Sequence, residues 1–393
     1  MKILFGTDLF YQNVVGSVNF IQQLARGLVR NGHEVFVIAP SKQFKNTLYK
    51  EGDITVYGIR SVSIPEIIYP ANFRVPVTAT SNKIRTIIKE VNPDVINIQD
   101  HFMIGNKIAK EGKKLGIPIV GTNHFMPENF IHYLYPPEFA KKLLKKLAWK
   151  AFIRVYRQLD VITTPTKTAA DLIRSLGLKN LIIPISNGVN LDKFNPQKNG
   201  HYLKKRYKLK NEPVLLFVGR LDKEKRIDVL IKALPNALTH INAKLIITGK
   251  GTERSSLAKL AKRLGVTKNV IFTGFVADKD LPFLYRIADI FVIASIAELQ
   301  SIATMEAMAS GLPVVAAAVM ALPELVRSGK NGYLFDQGDT ATLANQIIRI
   351  IKNPPLKKRM SENSLKLIKQ HDLKVTIKKY QRIYEQLLKP ARS

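Results

Sequence analysis

The chain has 393 residues, 46% of them hydrophobic, so two domains are expected and each half can bury its own core. The absence of cysteine excludes disulfides and thiolate metal sites. Sixty-one Lys and Arg against 30 Asp and Glu give a formal charge of +31. Such a balance attracts polyanions, whether nucleic acid, anionic lipid or phosphorylated substrates, unless it only reflects a lysine-rich background.

The apolar run at residues 1–6 reads as a first β-strand, being too brief for a signal peptide. Residues 19–31 have helical spacing, with Phe20, Leu24 and Leu28 on one face, and stop at Gly32. Strand-like runs follow at 34–39, 94–98, 118–121 and 161–164. This alternation predicts parallel strands with crossover helices. Residues 193–211 carry two lysine-rich clusters, Pro196 and Gly200, with few apolar residues, and read as an interdomain linker. The pattern then restarts with strands at 214–219, 244–248, 270–273, 290–294 and 313–316. No run approaches the roughly 18 uninterrupted apolar residues of a membrane span. The richest, 312–326, is broken by Pro313, Pro323 and Glu324. A cytoplasmic location is the default. The expected fold class is α/β, with two Rossmann-like doubly wound domains at 1–196 and 197–374, and a C-terminal helix at about 375–393 packing back on the first. Ligands of such sheets bind beyond the carboxyl ends of the strands. For two domains that places the site in a central cleft.

Three segments carry candidate chemistry. Gly219-Arg220-Leu221-Asp222-Lys223-Glu224-Lys225-Arg226 follows a strand and precedes a helix at 227–234. Its cations suit a diphosphate, Arg as a planar fork and Lys as a point charge, though a solvated loop has the same composition. Thr248-Gly249-Lys250-Gly251 lets the backbone approach a ligand, or simply forms a tight turn. In the third, Glu298 and Glu306 stand eight positions apart around the start of a helix at 301–309, which ends at Gly311-Leu312-Pro313. Two carboxylates beside a helix N-terminus fit sugar and ribose hydroxyls better than phosphate. The apolar neighbours Ile302, Met305 and Met308 argue against a surface position for Glu306. Asp278 and Asp280 precede a helix and read as caps rather than a metal pair.

Gly219-Arg220 with Lys225, and Glu298…Glu306 running into Ala307-Met308-Ala309-Ser310-Gly311-Leu312-Pro313-Val314-Val315, resemble the retaining glycosyltransferases of family 4, which have the GT-B fold. Asn187-Gly188-Val189 with Phe194, Pro323-Glu324-Leu325-Val326 and Asn331-Gly332 extend the resemblance over nearly the whole chain. It implies a hexose moved from a UDP- or GDP-sugar with retention, through an oxocarbenium-like transition state and front-face attack. It also implies no cofactor and no metal, protein cations stabilising the leaving diphosphate. Arg220 and Lys225 would hold the diphosphate, Glu306 the ribose and Glu298 the transferred sugar, while the backbone near Phe275 and Val276 would read the base. Gly16, Gly219 and Gly249 would lie near the diphosphate, and Leu299, Gln300, Ser301 and Ile302 would complete the donor site. A lone histidine is often structural, but His124 at a strand end matches a histidine found beside the transferred sugar. The chain departs from the family at Val15-Gly16-Ser17, where paired glycines are common. It departs again at Arg226, where a glycine usually follows the lysine, and at Leu299-Gln300-Ser301, where an aromatic residue and glycine are common.

The acceptor clue is residues 138–159. Phe139, Leu143, Leu144, Leu147, Ala151 and Val155 read as one apolar face. Lys141, Lys142, Lys145, Lys146, Lys150, Arg154 and Arg157 read as the other, with Trp149 projecting among them. This suits an anionic membrane surface, and equally an ordinary helix with a solvated basic face. Some relatives that glycosylate membrane lipids, such as diacylglycerol glucosyltransferases and phosphatidylinositol mannosyltransferases, use a basic region of the N-terminal domain this way. The expected partners are a nucleotide sugar and a lipid acceptor at the inner face of the cell membrane, bordered by residues 126–130. The same chemistry on a soluble sugar is the alternative. Nucleic-acid binding is disfavoured because no DNA- or RNA-binding motif is present.

Overall fold

A computed structural model describes residues 1–10, 16–64, 73–127 and 137–389. The chain forms two compact units, residues 1–187 with 374–393, and residues 188–373.

The first unit is built on strands β1 (Lys2–Gly6), β2 (Glu34–Pro40), β3 (Thr47–Glu51) and β4 (Ile54–Ile59). They are joined by β7 (Val95–Ile98), β8 (Ile119–Thr122), β9 (Val161–Thr164) and β10 (Leu181–Pro184). Their order is β10-β9-β8-β7-β1-β2-β4-β3. Every neighbour pair is parallel except β3–β4. The separate short pair β5 (Ser61–Ser63) and β6 (Arg74–Pro76) is antiparallel too. The parallel alternation expected from sequence is therefore interrupted between residues 47 and 76. The central strands are buried on both faces, so Ile3, Leu4 and Phe5 are fully enclosed, as are Ile96 and Ile98. The C-terminal helix Leu373–Leu388 packs on this unit, with residues 390–393 outside the described region. Its Tyr380 hydroxyl lies 3.3 Å from Thr122 Oγ1 and 3.0 Å from Thr163 Oγ1, and Ile377 lies over Gly27, where any side chain would collide with it.

The second unit has β11 (Val214–Val218), β12 (Lys244–Thr248), β13 (Val270–Gly274), β14 (Ile290–Ile293), β15 (Val314–Ala317) and β16 (Gly332–Phe335). Their order is β13-β12-β11-β14-β15-β16, all parallel. Counted within the unit this is 3-2-1-4-5-6, a dinucleotide-fold order whose switch point lies between β11 and β14. The expected boundary at 196/197 and the expected linker are both corrected. Val189 and Phe194 are buried in the second core, and residues 201–206 form a helix whose Leu203 is fully enclosed there. Its lysine-rich composition reflects the helix's solvent face.

Candidate functional site

At the switch point of the second unit, the loop after β11 and the loop after β14 lie side by side. Ser295 Oγ and Ile296 N–H both donate to the Glu224 carbonyl, at 3.3 and 2.9 Å. Lys225 Nζ donates to Glu298 Oε1 at 2.7 Å, with both side chains largely enclosed. Arg220 is clamped by Asp222 Oδ2 at 3.0 Å and Glu224 Oε1 at 2.9 Å, two buried carboxylates. Two cations are thus fixed within one loop, each with a carboxylate partner.

Glycines allow these loops to close together. Gly219 N–H donates to the Thr248 carbonyl and Gly249 N–H to the Gly274 carbonyl. Leu221 N–H donates to the Lys250 carbonyl, and Glu253 N–H to the Leu221 carbonyl. A Cβ on Gly249 would strike the Gly219 carbonyl, and its φ of +134° disfavours other residues. Arg226, where the family resemblance implies a glycine, adopts φ +48° and is held by Asp228. The left-handed conformation explains the glycine expected there.

Ser301 caps the helix Ile302–Ala309 by accepting from Thr304 N–H, and Leu299, Gln300 and Ser301 are buried. Glu306 stands on this helix and its Oε2 accepts from the Tyr285 hydroxyl at 2.8 Å. Loss of hydration pushes the Glu306 carboxyl up to about 7, against the lowering effects of Tyr285 and Lys193. Phe275 follows β13 and is 52% exposed, while Val276 is half-buried. Asp280 stands at the N-cap position of the following helix but its side chain makes no capping hydrogen bond, and Asp278 lies before the helix start. Asp278 pairs with Lys193 and Asp280 accepts from the Tyr202 hydroxyl, because both face the preceding segment. Among the described residues no three His, Asp or Glu side chains gather as a metal site.

In the first unit, His124 follows β8, half-buried, its ring centroid 5.1 Å from that of Phe20 and its Nε2 3.1 Å from Gln99 Oε1. Gly16 opens the helix Gly16–Arg30, while Val15 before it lies outside the described residues, as do Glu128, Asn129 and Phe130. Buried Asp8 and Asp100 occupy this unit's own switch point, after β1 and β7. Their carboxylates accept from the N–H groups of Ile104, Gly105 and Asp8, which makes them braces for the loops.

The basic helix, Glu138–Tyr156, is corrected. Phe139, Leu143 and Leu147 are 84%, 58% and 52% exposed, and Ala151 is exposed with them. Phe152, Val155 and Tyr156 are buried instead. Phe139 and Val155 are sixteen positions apart, which at about 100° per residue places them on opposite faces. Trp149 does not project among the lysines, because it packs edge-on against Phe125 and Phe152 at 5.7 and 5.5 Å. Lys142, Lys146, Lys150, Arg154 and Arg157 are exposed, while Lys141 and Lys145 are half-buried.

Tyr285, Gln99 and the carboxylates around Arg220 were not singled out from sequence. Only the spacing of Arg220 and Glu224, four residues apart with opposite charge, offered a signal.

Residues 14–193 match the family model described as Glycosyltransferase Family 4, and residues 201–367 match Glycosyl transferases group 1. The alpha-monoglucosyldiacylglycerol synthase of Acholeplasma laidlawii is 28% identical over 399 residues, covering 99% of this chain and 98% of its own length. A GDP-mannose-dependent alpha-mannosyltransferase of Corynebacterium glutamicum is 26% identical, covering 86% and 78%. The crystal structure of Anabaena HepE with UDP and glucose has a TM-score of 0.75 at 23% identity, covering 98% of this chain and 99% of its own. The fold is that of the GT-B glycosyltransferases.

Proposed function

We propose that this chain, which belongs to glycosyltransferase family 4, moves a hexose from a UDP- or GDP-sugar to a lipid at an anionic membrane surface, with retention and without a metal ion. The observation that carries the reading is the pairing of Lys225 with Glu298 across the β11/β14 switch point, with Arg220 fixed in the same loop. A nucleotide diphosphate at a switch point meets strand-end loops, and here those loops bring cations.

In this reading Arg220 and Lys225 bind the diphosphate and stabilise the charge that grows on it as the glycosidic bond breaks. Both are held in place beforehand, so little reorganisation is needed during the reaction. Glu298 restrains Lys225 in the free enzyme, and one carboxylate can also accept a hydroxyl of the transferred sugar. Glu306, ionised, accepts the ribose hydroxyls through the oxygen that Tyr285 does not hold. Phe275 offers a flat exposed face to the base, with Val276 beside it. Retention follows the family resemblance.

The lipid acceptor is supported by the relative named for diacylglycerol and by the helix Glu138–Tyr156. That helix exposes apolar side chains between lysines, a composition suited to an anionic interface. Among the described residues no helix is long and apolar enough to cross a membrane, so attachment through that helix would be peripheral. The test is a transfer assay with UDP-glucose, UDP-galactose and GDP-mannose against diacylglycerol in anionic vesicles and against free sugars. Product on the lipid with the anomeric configuration kept supports the reading. Transfer only to free sugars would remove the lipid acceptor, and an inverted product would remove retention.

A further inference from the structure

A line of side-chain hydrogen bonds runs from the C-terminal helix to His124. Asn97, on β7, donates from Nδ2 to the Tyr384 hydroxyl at 2.6 Å. Asn97 Oδ1 accepts from Gln99 Nε2 at 2.9 Å and from Thr122 Oγ1 at 3.2 Å. Thr122 in turn accepts from Thr163 Oγ1 at 2.9 Å, which leaves its own hydrogen for Asn97. With the Asn97 and Gln99 amides placed this way, every donor in the line meets an acceptor. With the Gln99 amide nitrogen committed to Asn97, its oxygen faces His124 Nε2 at 3.1 Å. An amide oxygen only accepts, so the ring nitrogen opposite it must carry the hydrogen.

We propose that Gln99 is a positioning residue that holds His124 as its Nε2–H tautomer, leaving the Nδ1 lone pair as the acceptor for a substrate hydroxyl. The part of this that concerns a substrate rests on the transferase reading. The part that concerns the ring does not. Asn97, Gln99, Thr122 and Thr163 are all buried, and Tyr384 is fully enclosed, so water does not compete for these bonds. Phe20 closes one side of the imidazole. Burial also pushes His124 down to about 4, so the ring is neutral at pH 7 and its tautomer has meaning there. No charged group is hydrogen-bonded to the ring among the described residues. The acidic side chains at this end of the sheet, Asp8 and Asp100, are bound to each other's loop and not to it.

The experiment is nitrogen-15 and carbon-13 histidine NMR of the full chain, with His124 assigned by loss of its signals in His124→Gln. The expected wild-type spectrum shows a neutral Nε2–H ring from pH 8 down to about pH 5. Gln99→Met, similar in size but without the acceptor, should give a mixture of tautomers, with circular dichroism confirming the fold. Gln99→Glu places a carboxylate against Nε2 and should raise the His124 pKa by one unit or more. In the transfer assay the same variant should acquire an acid limb in kcat, with KM for the nucleotide sugar within about twofold of wild type. A wild-type Nδ1–H ring would overturn the proposal, since it means the hydrogen-bond line runs in the opposite sense. An unchanged tautomer in Gln99→Met would overturn it as well. Absence of transfer with every donor would count against the transferase reading while leaving the NMR result intact.

Discussion

The ammonium of Lys225 and the carboxylate of Glu298, 2.7 Å apart, tie the loop after β11 to the loop after β14. In the free protein each neutralises the other in a largely enclosed position. An arriving diphosphate adds negative charge that Lys225 can meet, which loosens its hold on Glu298 and frees that carboxylate to accept a hydroxyl. In the proposed reading, donor binding and sugar orientation would thereby be coupled through one ion pair.

Arg220→Ala and Lys225→Ala should each lower kcat/KM by about 10²–10³-fold, as expected when one charge-assisted contact to a leaving group is removed. Lys225→Ala should also lose stability by a few kcal/mol, because Glu298 is left enclosed without its partner. Glu298→Gln in the Lys225→Ala background should restore most of that stability and none of the activity. Steady-state kinetics beside thermal melts separates the two effects. Near-normal turnover in a folded Arg220→Ala protein would contradict the assignment.

Glu306 gives a pH dependence whose sign can be stated. Its carboxyl titrates near 7 in the folded protein against about 4.5 unfolded, because burial disfavours the charged form. The folded state therefore binds the extra proton between these values. The stabilising contribution is complete below about pH 4.5 and is lost as pH rises to about 7, a change of up to about 3 kcal/mol. Glu306→Gln should melt higher than wild type at pH 8 and close to it at pH 4. Affinity for a nucleotide sugar should rise with pH through 7 in the wild type, as the carboxylate ionises, and stay flat in Glu306→Gln. Calorimetric titration at pH 6, 7 and 8 measures this, and parallel curves for the two proteins would exclude the role in ribose binding.

If Arg220 and Lys225 meet the diphosphate as proposed, activity should survive excess EDTA. Full inactivation reversed by Mg²⁺ or Mn²⁺ would place a metal at the diphosphate after all.

Gly249→Ala should lower stability by about 2–3 kcal/mol and abolish nucleotide binding, since the new methyl meets the Gly219 carbonyl and the backbone conformation is strained. Gly265→Asn, where the left-handed backbone has open space around it, should cost less than about 1 kcal/mol. Equal losses in the two melts would remove the special role of the β11/β12 contact.

Why some of this could be read from sequence follows from burial. Strands such as Leu215–Phe217 and Ile3–Phe5 are enclosed on both faces, so they appear as unbroken apolar runs. Strand β3 alternates half-buried with exposed residues at a sheet edge, and Thr-Leu-Tyr-Lys-Glu carries no such run. Arg220, Lys225, Glu298 and Glu306 could be picked out as candidates because they stand on two short segments with fixed spacing. Tyr285 and Gln99 could not, since each meets its partner from 21 or more residues away. The basic helix was misread for a geometric reason. Residues four apart drift by about 40°, so a stripe that is apolar at each step wraps from the solvent side to the core over four turns.

That correction changes the membrane prediction. Phe139, Leu143 and Leu147 lie on the exposed side of the helix Glu138–Tyr156, at four-residue spacing, with Lys142, Lys146, Lys150 and Arg154 around them. Each cation near an anionic bilayer can contribute up to about 1 kcal/mol, and an apolar side chain moved out of water about 1.5–3 kcal/mol. The ridge is therefore expected to matter as much as the charge. Phe139→Ser with Leu143→Ser and Leu147→Ser should cut binding to anionic vesicles by tenfold or more. Melting should barely move, since exposed side chains change stability by only about 0.5 kcal/mol. Replacing Lys142, Lys146 and Lys150 by Gln should cut binding at low salt and much less at high salt, where screening has already weakened the charges. Trp149→Ala should behave in the opposite way. It opens the cluster with Phe125 and Phe152 and should cost about 2–4 kcal/mol of stability, with vesicle binding unchanged below its melting temperature. Co-sedimentation with anionic and neutral vesicles at two salt concentrations, beside thermal melts, measures all three. Undiminished binding of the triple serine variant would show that this helix is not the membrane-facing surface, and the case for a lipid acceptor would then rest on the named relative alone.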